Sequence, residues 1–193
     1  MSELPSYANV TFRHEDAEAV ARVIADMHRY VVISPVDKGC VVAFDRESDV
    51  NGELIVDFAR ILSEKIQCVA MAVMNHQDGV LLYWLFDSGK ELDSYISRPD
   101  FFGGDPMPRG GDAIALAHAW QQYDTVEQIG NILHADEHQQ PSKRYPSETL
   151  RHGDLADTLG ISTWGVGFGY TLLAEDKFPD GFPADDTFYT EPN

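Results

Sequence analysis

His134 and His138, four residues apart in the run HADEH, are the pair in this chain best spaced to share a metal ion. Residues at i and i+4 lie on one helical face, and Asp136 or Glu137 could add carboxylate oxygen. The order is not the HExxH of zinc hydrolases, and a structural zinc usually takes four ligands. A solvated helix end accounts for the same residues, so the metal reading ranks behind it and no cofactor is expected. Asp100, Asp105 and Asp112 place three more carboxylates in or beside the Pro/Gly loop RPDFFGGDPMPRGG (98–111). Loop carbonyls and such acids can take a divalent cation, although Asp112 already reads as the cap of the next helix. Cys40 opens a β-rich run with no obvious base beside it, and a reactive thiol needs a lowered pKa. The glycines at 165, 167 and 169 have the wrong spacing for a dinucleotide fingerprint, and no P-loop lysine follows the glycine pairs 103–104 or 110–111. No complete catalytic set emerges, so the chain is read as a non-enzyme.

The segment 175–193, EDKFPDGFPADDTFYTEPN, suggests recognition instead. Acids alternate there with Phe178, Phe182, Phe188 and Tyr189, and three prolines disfavour helix. Aromatic anchors ringed by carboxylates suit a basic partner. The competing reading is a C-terminal strap whose aromatics cap the domain's own core. The two are compatible if only the acids face outward.

Charge points the same way. Thirty-two acidic residues oppose fourteen basic ones, a formal charge of −18 over 193 residues. Like charges crowded on one body repel and cost stability. A basic partner, bound cations or a high-salt habitat would each offset this, and the bias to Asp (twenty residues) over Lys (five) fits high salt as well. The excess is concentrated. Five acids between Asp87 and Asp105 face two bases, and eight from Gly153 onward face only Lys177. The candidate partner-binding residues are therefore Asp87, Glu91, Asp93, Asp100 and Asp105 in the first segment. In the second they are Asp176, Asp180, Phe182, Asp185, Asp186, Phe188 and Tyr189. If the charge has one function, the two segments should form one surface. Direct binding of nucleic acid or of an anionic membrane is disfavoured, because phosphate recognition needs Lys and Arg. No apolar run reaches the roughly 20 residues of a membrane helix, no signal peptide is seen, and the two cysteines read as reduced. A cytoplasmic protein is expected.

The elements that must position these residues follow from periodicity. Strands are expected at Tyr7–Phe12, Tyr30–Ser34, Gly39–Asp45, Cys68–Met74, Val80–Phe86 and Glu91–Ile96, the last three as a meander turned at Asp78-Gly79 and Ser88-Gly89. Helices are expected at 15–28 and 52–66 from their apolar stripes, then after caps at Asp112, Asp124 and Ser147. Trp164–Leu172 alternates bulky residues with Gly or Thr, which predicts a strand with one bare face open to close approach. The expected fold is α+β: a largely antiparallel sheet with helices on one face, then a C-terminal helical segment, a Gly-alternating strand and an extended acidic tail. Residues 1–174 form the domain and 175–193 the tail.

At GCVVAFD (39–45), ARILSEKIQCVAMAVMNHQDGVLLYWLFDSGKELDSYIS (59–97) and PDFFGG (99–104), the chain resembles a family of uncharacterised bacterial α+β proteins, over about residues 29–172. In type it is similar to the immunity proteins of bacterial toxin systems. That resemblance implies binding and neutralisation of a basic cognate toxin, without a cofactor. The alternatives are a nucleic-acid mimic that occupies a basic protein, and a metal-dependent enzyme using the 101–112 loop or the 134–138 histidines.

Overall fold

Eight strands form one antiparallel sheet in this computed structural model, which describes residues 6–135 and 145–192. In chain order they are β1 (Tyr7–Arg13), β2 (Val31–Ile33), β3 (Cys40–Asp45), β4 (Val69–His76), β5 (Val80–Asp87), β6 (Lys90–Ile96), β7 (Arg109–Gly110) and β8 (Phe188–Thr190). Across the sheet the order is β7-β6-β5-β4-β1-β3-β2-β8. The expected meander is present: β4 pairs with β5 from Val69↔Asp87 to His76↔Val80, and β5 with β6 from Leu82↔Ile96 to Asp87↔Lys90. Ser88 and Gly89 turn the second hairpin with φ of 50° and 83°, the left-handed pair that matches strand twist.

Seven helices accompany the sheet among the described residues: α1 (Ala17–Ala25), α2 (Arg46–Val50), α3 (Leu54–Ile66), α4 (Ala113–Ala119), α5 (Val126–Leu133), α6 (Glu148–Thr158) and α7 (Tyr170–Ala174). The fold is thus α+β with an antiparallel sheet, as expected. The helices do not, however, keep to one face. α1 and α3 bury Val20, Ile24, Ile55, Phe58 and Leu62 against Val10, Phe12, Ala43, Ala70 and Phe86. α4, α5 and α6 bury Leu116, Ile129, Leu133 and Leu155 against Met71, Val73, Tyr83 and Leu85 on the opposite face. Strands β4 and β5 require this, because they are apolar at nearly every position and need cover on both sides.

Asp16, Asp112 and Ser147 cap α1, α4 and α6, each accepting from backbone N–H groups of the first turn. Asp124 does not cap α5. It sits in a 3₁₀ turn, and Thr125 occupies the cap position without a side-chain bond.

The strand expected at Trp164–Leu172 is absent. Residues 163–167 form turns, and α7 begins at Tyr170. The alternation has another cause. A Cβ on Gly165 would lie 2.7 Å from Asn9 Oδ1, and one on Gly169 would lie 2.3 Å from Asp49 Oδ1, while Gly167 has φ +82°. Close approach was the right inference from the glycines; the approaching groups are polar side chains meeting a folded turn.

A third cluster joins Val32, Val42 and Phe44 of the sheet to Leu173 of α7 and to Phe182. The chain then makes a 3₁₀ turn at Ala184–Asp186 and adds β8 beside β2, with Val32 opposite Tyr189.

Candidate binding surface

Buried polar groups come first, because they are where chemistry would be held. His152 on α6 is fully enclosed and meets the Tyr7 hydroxyl at 2.9 Å. Asn75 donates to the Tyr7 oxygen and to Thr149 Oγ1, and Thr149 donates to Asp78. With the Tyr7 oxygen accepting from Asn75, its proton is free to go to His152 Nδ1, which places the ring proton on Nε2. Burial lowers the His152 pKa from 6.5 to about 4 and raises that of Tyr7 to about 12. Neither exchanges a proton near neutrality, so the pair is a structural bond rather than an acid–base couple.

Arg151, one residue before His152, is 0% exposed. It ion-pairs with Glu148 at 3.0 Å, donates to Tyr95 Oη and to the carbonyls of Ile132 and Leu133, and lies over the Tyr145 ring. This guanidinium stitches α6 to the end of α5 and to β6. The sequence carried a partial signal, the Glu148/Arg151 pair at i, i+3, but nothing that announced burial. Asp45 and Asp49 behave alike. Asp45 caps α2 and meets Arg29 at 2.6 Å; Asp49 accepts from the amides of Ala8 and Thr171. Desolvation raises both carboxyls above the usual range. Cys40 and Cys68 are free and buried, and burial pushes both thiols up to about 11. They stay protonated at neutral pH and are poor nucleophiles.

A cleft of about 470 Å³ opens where β3 begins and α4 and α6 end, lined among others by Arg13, His14, Lys38, Cys40 and Trp120. Its cations have local duties. Arg13 donates to the carbonyl of Ala119, and Lys38 to that of Ile161. Arg13 thereby answers a carbonyl of the last turn of α4, and Lys38 ties down the chain just past α6. The sequence gives no sign of this cleft, because it is assembled from four distant segments.

The acids proposed for partner binding divide into two groups. Asp93 accepts from Tyr83 Oη at 2.5 Å and from the Asp112 amide at 2.8 Å. Asp100 pairs with Arg98 at 3.1 Å, and Asp105 accepts from the Met107 amide. Asp87 and Glu91 are exposed on the β5–β6 hairpin. The other group, Asp176, Asp180, Asp185 and Asp186, is exposed, together with Glu175 and Glu191. The one base among these, Lys177, pairs with Glu175 at 2.7 Å. Phe182 is 9% exposed and packs on Phe44, Phe178 and Trp164. Phe188 is half-buried against the α1/α3 core, and Tyr189 is 59% exposed. Of the three aromatics, only Tyr189 is well placed to meet a partner.

The strands that carry part of each acidic segment lie far apart in the sheet. β6 and β8 are six strand positions apart in the sheet order, or about 29 Å at the usual interstrand spacing. His134 is half-buried, with its Nε2 3.2 Å from the carbonyl oxygen of Gly111; His138 lies outside the described residues, as do Asp136 and Glu137. Among the described residues, no three His, Cys, Asp or Glu side chains are grouped to hold a metal ion. No helix there is long and apolar enough to cross a membrane. Comparison with known protein families, with curated proteins and with solved structures finds no match.

Proposed function

We propose that this chain is an immunity or inhibitor protein that binds and neutralises a basic bacterial toxin through the acidic surface of residues 175–191. One observation carries the reading. Glu175, Asp176, Asp180, Asp185, Asp186 and Glu191 are all exposed in the segment that also exposes Tyr189, and the only base of that segment, Lys177, is already paired. A single-sign surface of this kind steers an oppositely charged protein and raises its association rate. Tyr189 supplies an amphipathic anchor of the type that dominates interface energies. The hairpin segment contributes less, because Asp93, Asp100 and Asp105 are occupied in holding their own loops.

The test is co-expression with the product of the neighbouring gene, followed by stopped-flow association. The wild-type chain should rescue growth and bind fastest at low salt. The combined variant Asp176→Asn, Asp180→Asn, Asp185→Asn, Asp186→Asn should keep its circular dichroism spectrum and lose roughly 10- to 100-fold in association rate. An unchanged rate and unchanged salt dependence would remove this surface from the interface. Absence of any complex at low salt would sink the function itself.

A further inference from the structure

The sheet ends in two unlike edges. At one, β7 lasts two residues, and Gly110 with the following Gly111 takes φ of 74° and 87°. A left-handed backbone there stops a ladder from continuing. The part of β6 that β7 leaves uncovered carries Lys90, Glu91 and Asp93, charges of the kind that blunt an edge against pairing.

The other edge is also short, at three residues, and α1 packs beside it, but its backbone carries no left-handed stop. β8 is Phe188-Tyr189-Thr190, with no charged residue, and the chain enters it from Thr187 at φ −83°, ψ 140°, ordinary extended backbone. Its inner side pairs with β2, and no strand follows it in the sheet order. Among the described residues, no backbone hydrogen bond beyond that ladder reaches Phe188, Tyr189 or Thr190. Asp185 and Asp186 stand just before the strand and Glu191 just after, all exposed. An unpaired edge offers main-chain hydrogen bonds to any extended chain. Carboxylates at both ends restrict the offer to a chain rich in Lys or Arg.

We infer that the outer edge of β8 is a docking strand for an extended basic segment, which adds to the sheet antiparallel, as every other pairing in it runs. The inference rests on the acidic-surface reading and supplies its geometry: the partner contributes a strand rather than a helix or a folded concave face. Main-chain bonds set affinity, the flanking carboxylates set charge preference, and Tyr189 contacts alternate side chains of the incoming strand.

Two synthetic probes test this on the full chain. One is a capped heptapeptide of alternating Lys and Val, starting and ending in Lys. The other replaces each Val with Pro, which keeps the charge but removes amide donors and strand geometry. Affinity is read by calorimetry at low salt, and amide exchange of Phe188, Tyr189 and Thr190 by NMR. The Lys/Val peptide should bind, slow exchange at β8, and exceed the Lys/Pro peptide by about tenfold in affinity. Equal binding of the two peptides without protection at β8 would overturn strand addition, while leaving the acidic surface as a charge-only site. Failure of both to bind would overturn strand addition too, and the toxin complex then decides the broader reading separately. An Asp185→Asn, Asp186→Asn variant should weaken the Lys/Val peptide severalfold and leave the β8 protection pattern intact; loss of the pattern with retained affinity would place the peptide elsewhere.

Discussion

His152 shows how a residue that could do chemistry is turned to structure by its surroundings. It is neutral in the fold, with its pKa lowered to about 4 by burial, whereas the unfolded chain protonates it near 6.5. The unfolded state therefore binds more protons between those values. The contribution of a neutral His152 is fully present above about pH 6.5 and is lost as pH falls toward 4. The shift corresponds to about 3 kcal/mol at its limit. His152→Gln can still accept from the Tyr7 hydroxyl but does not titrate. Urea unfolding at a series of pH values should show a steep acid loss in the wild type that is shallower in the variant. Equal slopes would move the origin of acid sensitivity elsewhere. Asp45 and Asp49 work in the opposite sense: with carboxyls raised by burial, their protonation favours the fold as pH drops.

At the scale of elements, the legible parts were those whose signal is local. The stripes Val20/Ile24 and Ile55/Phe58/Leu62 fixed α1 and α3, and alternation with turn dipeptides fixed the β4-β5-β6 meander. Asp112 and Ser147 are legible as caps from their place before apolar runs. The 164–172 segment failed because its period of two arises from three separate tertiary demands rather than from a pleat. Gly165 and Gly169 make room for Asn9 and Asp49, and Gly167 turns left-handed. β8 was hidden for the opposite reason, since three residues between prolines carry no period at all. This origin is testable. Gly169→Ala pushes a methyl into the Asp49 carboxylate and should cost roughly 1–3 kcal/mol by overpacking. Gly167→Ala meets only the Thr149 methyl at 3.6 Å and should cost about 1 kcal/mol from its backbone conformation. Thermal unfolding ranks the two. The reverse order would mean that the Asp49 contact yields easily.

For the whole molecule, the charge of −18 is a sum over unlike regions. Acids around β6 are tied into local bonds or guard an edge, and those of 175–191 are free to act outward. What the sequence leaves open is how each acid is used: those of the second segment are all exposed, whereas Asp93, Asp100 and Asp105 of the first bond to their own loops, and neither these bonds nor the sheet order can be read from composition. Mutual repulsion should show in solution. Raising salt from about 20 mM to about 300 mM should increase the midpoint of thermal unfolding and then level off as screening saturates. A chain that folds only in molar salt would point instead to a high-salt habitat as the source of its acidity.

The position of β8 also orders events in time. β4, β5 and β6 pair with close neighbours in the chain, so their hairpins can form early. β8 must bring residue 190 beside residue 31, closing almost the whole chain into one loop for a three-residue ladder. Such long-range contacts form late in folding and open first. Amide exchange should rank accordingly, with β4 and β5 slowest and β8 among the fastest of the strands. A strand that leaves easily would give the molecule a second form, in which β2 becomes the boundary of a seven-stranded sheet and the aromatic cluster under Phe182 is loosened.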